Sequence, residues 1–348
     1  MRVVVSGYYG YGNAGDESVL AGLLDLLRAE EPDIAVTVLS GDPAHSRRTH
    51  DVDAIARANP RAVIRALRAS AGLISGGGSL LQDRTSARPV AYYAGLMHLA
   101  RVLRRPYVVH AQGLGPITRR ANRALAASAL RGAAQVSLRD PGSLALAREI
   151  GVRRPIELVP DPALALHPPA SAGGHVLVAV RSWGASAEHI TGLRDALRSL
   201  SAERTILCLP MQDAVDREAS EAAVEGIPGA DVLGPGASLD EQLAAIGSAS
   251  LVVGMRLHAL ILAAAAGVPA LAISYDPKVD AFAAQAGHPV VGEVGRAIDA
   301  TALVDAAHAA LAADPAPYRE RVERLRAQLP ASVAASLAGL RAAGQGRG

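Results

Sequence analysis

The sequence predicts a two-domain α/β protein built on parallel sheets, and three observations carry that prediction. Short, continuously apolar runs alternate with helical patterns along the chain. The pattern is broken once, by the Pro-, Gly- and Ser-rich stretch 160–174, and then restarts. Finally, the 348 residues are 50% hydrophobic but only 3% aromatic, so the cores must be Ala, Val and Leu packed between sheet and helix. Strands buried on both faces read as unbroken apolar runs, the mark of a parallel sheet covered by helices.

Each element follows in turn. Strands are expected at 3–6, 35–39, 72–75, 107–110, 135–138 and 156–159. Between them lie helical segments such as 17–29, where Val19, Leu20, Leu23, Leu24 and Leu27 share one face at helical spacing, and 141–150. The stretch 160–174 reads as a linker. Beyond it, strands are expected at 175–180, 205–209, 231–233, 251–253, 270–274 and 289–291, and terminal helices at 315–328 and 331–343, before a loose tail. The domains are therefore 1–166, 172–312, and a terminal segment 313–348. Two tandem Rossmann-like domains are expected to face a cleft, with ligands beyond the C-terminal ends of the strands.

The first strand-end loop contains Gly10-Tyr11-Gly12-Asn13-Ala14-Gly15, a G-x-G-x-x-G string. A dinucleotide fingerprint needs its first Gly at the strand end. Here Gly7 takes that place and the string starts three residues late. The acids Asp16 and Glu17 also repel a phosphate, so the loop suits sugar hydroxyls better. Asn13 or Asp16 can cap the helix that follows, and Asp16 reads equally as a cap or as a ligand contact. The run Gly76-Gly77-Gly78 implies positive φ or a close approach, by a ligand or by the first loop; the ligand-facing reading is favoured. Gln112, in the loop after the fourth strand, is placed in the same cleft. Arg139-Asp140-Pro141 and Asp161 sit at two further strand ends.

In the second half, Arg181 leaves a strand just before Trp183, and Arg256 and His258 open a helix after another strand. A guanidinium suits carboxylate or phosphate, and an imidazole beside it can titrate. An Arg at a helix start opposes the helix dipole, which favours a functional reading over a structural one. Tyr275-Asp276-Pro277-Lys278 follows the next strand. Lys278 is the only Lys among 35 basic Lys and Arg residues. That is either genome composition or a position where Arg cannot serve.

Several classes are disfavoured. A formal net charge of +2 offers nucleic acid no strong attraction. One cysteine, Cys208, rules out an internal disulfide and a cysteine metal cluster, and reads as a small buried hydrophobe. H-E-x-x-H, G-x-S-x-G and Walker A motifs are absent from the sequence, so no metal is expected. Arg2 leads directly into a strand and a Gly turn, so no signal peptide is expected. The longest uncharged run, 259–275, is broken at Gly267-Val268-Pro269 and does not read as a membrane span. The expected compartment is the cytoplasm.

The pieces SGYYGYGNAGDE, SGGGSLLQD, AQGLGP, SLRDP, PDPA, LPMQD and GMRLHALILAAAAGVPALAISYDPKV run in order from residue 6 to 279. Together they resemble the polysaccharide pyruvyl transferase family, most closely its CsaB type. The resemblance implies a GT-B-like architecture and transfer of the enolpyruvyl group of phosphoenolpyruvate to a sugar as a cyclic ketal. For the CsaB type the acceptor is a secondary cell wall polysaccharide precursor, lipid-linked or free, and the ketal helps anchor S-layer proteins. Arg181, Arg256 and His258 match the donor-binding positions, with Leu257 between the last two and Lys278 on the same rim. The residues after His258 are small and apolar and add no polar help.

His258 is the expected general acid, with Asp16 or Asp83 assisting the acceptor. Asn13, Asp16, Gly77, Gly78, Asp83 and Gln112 form the expected acceptor side. Phosphoenolpyruvate is a co-substrate, and no cofactor is implied. A lipid-linked acceptor implies contact with the inner membrane face, and the terminal helices are expected either to pack back on the first half or to build a homo-oligomer contact. Two other readings remain open. One is a nucleotide-sugar glycosyltransferase with Asp276 on the ribose; the other is a non-catalytic glycan-binding protein.

Overall fold

A computed structural model describes residues 1–84, 86–170, 173–182 and 188–345. Trp183 and residues 346–348 of the expected loose tail lie outside these. The chain divides into two compact units. The first comprises Met1–Tyr11, Asp16–Ala165 and Arg326–Gly348, and the second Gly12–Gly15 and Leu166–Leu325.

The first unit carries β1 (Arg2–Tyr9), α1 (Ala14–Glu30, whose first two residues group with the second unit), β2 (Ala35–Ser40), α2 (Pro43–His50), β3 (Asp53–Ala56), α3 (Pro60–Arg68), β4 (Gly72–Ser75), β5 (Gly78–Leu81), α4 (Arg88–Val102), β6 (Tyr107–Leu114), α5 (Arg120–Gly132), β7 (Val136–Leu138), α6 (Pro141–Glu149) and β8 (Glu157–Leu158). Its sheet order is β3-β2-β1-β4-β6-β7-β8, with β5 pairing β6, and these strands pair in parallel. Val3 and Val5 point to a layer with Leu20, Leu23, Leu24 and Leu27 of α1. Val4, Leu73 and Val109 point to the other layer, where α3, α4 and α5 pack. This alternation explains the unbroken apolar runs, since both faces of the sheet are covered.

The second unit carries β9 (His175–Ala179), α7 (Glu188–Leu200), β10 (Ile206–Cys208), α8 (Asp213–Val224), β11 (Ala230–Val232), α9 (Leu239–Gly247), β12 (Ala249–Gly254), α10 (Leu257–Ala266), β13 (Ala270–Ser274), α11 (Pro277–Ala286), β14 (Val290–Glu293), α12 (Ala300–Ala312) and most of α13 (Ala316–Arg326). Its parallel sheet has the order β11-β10-β9-β12-β13-β14. Cys208 is fully buried in β10, and burial pushes its thiol up to about 12.

The fold class is the one expected, two tandem Rossmann-like parallel α/β units. Three expectations need correction. First, β3 and β5 were not read: Asp53 at the head of β3 masks a short strand, and β5 starts inside the glycine run. Second, 160–174 is not all linker. Asp161, Ala163 and Leu164 are buried, and Pro162–Ala165 forms a 3-10 turn of the first unit. Third, residues 313–348 do not form one segment. The last helix, α14 (Leu329–Gln345), belongs to the first unit. Its Val333, Leu337 and Leu340 are buried with Val3, Val5 and Val108, and its Ser336 Oγ lies 3.0 Å from Nδ1 of buried His110. That ring is neutral over most of the pH range, because burial pulls its pKa down to about 4.

Candidate active site

In the second unit, β9 lies between β10 and β12, so strand addition reverses between β9 and β12. Ligands of open parallel sheets bind beyond the strand ends at such a switch point. Arg181 lies two residues past the end of β9, and Arg256 two residues past the end of β12. His258 is in the first turn of α10, whose N-terminal amides favour an anion. Tyr275 and Lys278 follow β13, the next strand over. Four of the five residues predicted to meet the donor, Arg181, Arg256, Leu257 and His258, thus fall at the ends of two adjacent strands. Lys278 falls at the third.

The cations are held by neighbours within this unit. Arg256 is 8% exposed and precedes α10 in extended conformation. Its Nε lies 3.3 Å from Oδ2 of Asp216, a carboxylate on α8 with no solvent exposure. The same oxygen accepts a hydrogen bond from Gln212 N at 2.9 Å. Burial pushes the Asp216 carboxyl above its usual range, with Arg256, the Gln212 amide and Arg181 pulling the other way. Arg181 Cζ lies 5.6 Å from the centroid of the Tyr275 ring, and Lys278 Nζ lies 5.7 Å from it. Asp276 caps α11 through Lys278 N at 3.2 Å and pairs with Lys278 Nζ at 3.6 Å. Leu257 is buried and lines no polar contact.

His258 rests against the Gly12–Gly15 segment, which this unit includes. A Cβ on Gly15 would overlap the imidazole at Nδ1. Ala14 N donates to Met211 O at 2.7 Å, and Asn13 forms an antiparallel bridge with Gln212. Asn13 Oδ1 accepts from Gly15 N at 3.0 Å. So Asn13, expected among the acceptor residues, turns the chain beside His258. The sequence did not point to Asp216, Gln212 or Gly15 in these roles. A buried Arg needs a counter-charge, but only packing reveals that Asp216 supplies it.

In the first unit, the loops after β1 and β4 flank the switch point between those strands. Glu17 is buried. Its Oε1 accepts from Gly10 N at 2.7 Å, and its Oε2 pairs with His50 Nε2 at 2.7 Å. Asp16 is half-buried and lies beside Gly78, whose added Cβ would come 3.0 Å from Asp16 Oδ1. Gly78 has φ +91°, and a Cβ on Gly77 would fall 2.7 Å from Val19. Gly77 and Gly78 thus pack closely on α1, a neighbour that neither reading of the glycine run named.

Asp83 is equally committed to the protein. Oδ1 accepts from Thr118 N at 2.8 Å and Thr118 Oγ1 at 3.0 Å; Oδ2 accepts from Arg119 N at 2.9 Å and Asn122 Nδ2 at 3.1 Å. Burial would raise its pKa, but these donors hold it down to about 2. Such a carboxylate is a weak base, and its donors tie the loop after β5 to the start of α5. Gln112 has no solvent exposure. Arg139 and Asp161, read separately in the sequence, form a buried ion pair of 2.7 Å that ties two strand ends together.

Among the described residues, no group of three or more His, Cys, Asp or Glu side chains could hold a metal ion. No described helix is long and apolar enough to cross a membrane.

The fold is the GT-B-like tandem α/β architecture. A UDP-GlcNAc 2-epimerase from Neisseria meningitidis, solved with UDP-GlcNAc, superposes with a TM-score of 0.64 at 11% identity, covering 97% of this chain and 99% of that one. A UDP-GlcNAc 2-epimerase from Methanocaldococcus jannaschii gives 0.58 at 12% identity, covering 93% and 97%. The ADP-heptose LPS heptosyltransferase II of E. coli gives 0.51 at 15% identity, covering 89% and 98%. At these identities the likeness is one of fold. No curated protein matches in sequence. Residues 13–277 match the polysaccharide pyruvyl transferase family. The chain belongs to that family, and so to a family of transferases.

Proposed function

We propose that this protein is a phosphoenolpyruvate-dependent pyruvyl transferase of the CsaB type. It forms a pyruvate ketal on a sugar of a secondary cell wall polysaccharide precursor, which supports S-layer anchoring. The observation that carries the reading is the set Arg181, Arg256 and His258 at the switch point of the second unit. Phosphoenolpyruvate bears a carboxylate and a phosphate on three carbons, and two guanidiniums beside a helix N-terminus match those anions.

In this reading His258 protonates the methylene carbon, which becomes the methyl group. C2 becomes cation-like, and a sugar hydroxyl adds to it, giving up its proton to a base. A second hydroxyl of the same sugar then displaces phosphate and closes the ketal, its proton leaving with the phosphate. Asp216 positions Arg256. Asp16 is the first-unit carboxylate offered to the acceptor. Asp83 is too firmly bonded to act as base and shapes its loop instead. The reaction needs no cofactor, its donor is cytoplasmic, and a lipid-linked acceptor would bring the protein to the inner membrane face.

The test is phosphate release from phosphoenolpyruvate in the presence of lipid-linked or simple disaccharide acceptors, with UDP- and GDP-sugars in parallel. Release dependent on both phosphoenolpyruvate and acceptor is expected. Turnover of a nucleotide sugar, with none of phosphoenolpyruvate, would replace this reading by a glycosyltransferase.

A further inference from the structure

Half of the aromatic residues of this chain gather at one corner of the first unit. The chain has eight Tyr, one Trp and one Phe. Tyr8, Tyr9 and Tyr11 end β1 and its loop, and Tyr92 and Tyr93 lie on α4. Tyr8 and Tyr11 stack with ring centroids 4.4 Å apart and planes 14° apart. They remain 37% and 41% exposed. Behind them, Arg57 Cζ lies 5.7 Å from the Tyr11 centroid, 3.9 Å from that of Tyr92 and 5.1 Å from that of Tyr93. Arg57 Nη1 donates to Tyr93 Oη at 3.1 Å.

The corner is built for these rings. A Cβ on Gly41 would lie 2.6 Å from the Tyr11 ring, and one on Gly7 would overlap the Tyr9 ring. A Cβ on Gly76 would lie 2.5 Å from Tyr9 Oη. The glycines at the ends of β1, β2 and β4 therefore make room for tyrosines. Tyr9 is fully buried and fills the core beneath, whereas Tyr8 and Tyr11 are held in place without being buried. A chain this poor in aromatics has little structural reason to hold two stacked rings at the surface.

We propose that the Tyr8–Tyr11 pair, backed by Arg57, is a platform for the C–H face of a neutral pyranose ring. The electron-rich face of an aromatic ring attracts polarised C–H groups, and Arg57 fixes the platform by cation–π contact. Asp42, next to Gly41, is exposed, and its carboxyl is held below the usual range by the His45 and Ala44 amides. Asp16 and Glu17 are the first acids of the helix that follows the Tyr loop. Glu17 is committed to Gly10 and His50, so the exposed Asp42 and the half-buried Asp16 are the carboxylates that can accept from sugar hydroxyls. The proposal rests on the pyruvyl-transfer reading only for the identity of the molecule that carries the ring, an oligosaccharide acceptor.

The experiment is binding of neutral methyl glycosides of N-acetylhexosamine disaccharides to the full chain without donor. It is followed by calorimetry and by saturation transfer from the Tyr ring protons. Tyr8→Ala and Tyr11→Ala are each expected to weaken binding about 3- to 10-fold. Tyr8→Phe and Tyr11→Phe should stay within about two-fold of wild type, since the ring face acts and not the hydroxyl. Three results would overturn the platform: wild-type affinity in the Ala variants, equal losses in Phe and Ala variants, or UDP binding that depends on Tyr11 where the glycosides do not bind. Wild type that binds no glycoside also overturns it, even if phosphoenolpyruvate is turned over. Glycoside binding without phosphate release would instead leave the platform standing and remove the transferase reading.

Discussion

The strand ends of the first unit carry carboxylates enclosed by several donors, whereas those of the second carry cations set beside a carboxylate or an aromatic ring. Glu17 is bonded to Gly10 and His50, Asp83 to four donors, and Asp161 to Arg139. In each case the charge organises a loop. In the second unit, Arg256 is held through Nε by one buried carboxylate, and Arg181 and Lys278 lie beside one tyrosine ring. A charge enclosed by hydrogen bonds builds structure. A guanidinium anchored at one edge is oriented for recognition, because its planar fork is already aimed.

Breaking the second unit's chemistry should have the largest effect. His258→Ala is expected to lower turnover by about 10²–10⁴-fold, the usual worth of a general acid. Calorimetry should find donor affinity much less changed. Equal turnover in the variant would remove His258 from the chemistry. Next in size is Asp216→Ala. Loss of a charge-assisted bond of about 1.5–3 kcal/mol should raise the donor KM roughly 10- to 100-fold, with the acceptor KM unchanged. Asp216→Asn, which keeps a hydrogen-bond acceptor for Nε, should recover part of the loss. A lowered melting temperature with an unchanged donor KM would reduce Asp216 to a structural residue.

The smallest effect belongs to the first unit and concerns stability. Asp83→Ala should lower the melting temperature near neutral pH. The carboxyl has a folded pKa of about 2, below its ordinary 3.8. Its contribution is therefore complete above 3.8 and is lost as pH falls towards 2. The gap between variant and wild type, followed by urea melts, should narrow over that window. A gap that is constant with pH would mean that Asp83 acts through shape alone.

Much of this was legible in the sequence, for a physical reason. Strands covered on both faces must be apolar throughout, so β1, β4, β9 and β13 are visible as runs such as Val3-Val4-Val5. β3 and β5 are short, and one opens on Asp53 while the other opens on Gly78, so neither presents such a run. Arg181, Arg256 and His258 were readable because strand ends are marked by where the apolar run stops. Asp216 was not, because it is one acid among several on α8 and only tertiary packing buries it. The glycines are ambiguous for a related reason. A sequence records that a side chain is missing but not whether a ligand or the protein's own Tyr9, Tyr11 and Val19 fills the space.

The division of the chain has a consequence for anyone who would cut the gene. Neither unit is one continuous piece, although Ala165 and Leu166 mark an obvious join. A fragment ending there would lose α14. It would leave the apolar layer of Val3, Val5 and Val108 without Val333, Leu337 and Leu340, and His110 without Ser336. The complementary fragment would keep Arg181, Arg256 and His258 but lose Gly15, against which the imidazole packs. Expressed separately, the two halves are thus each incomplete, because the two units interleave along the chain.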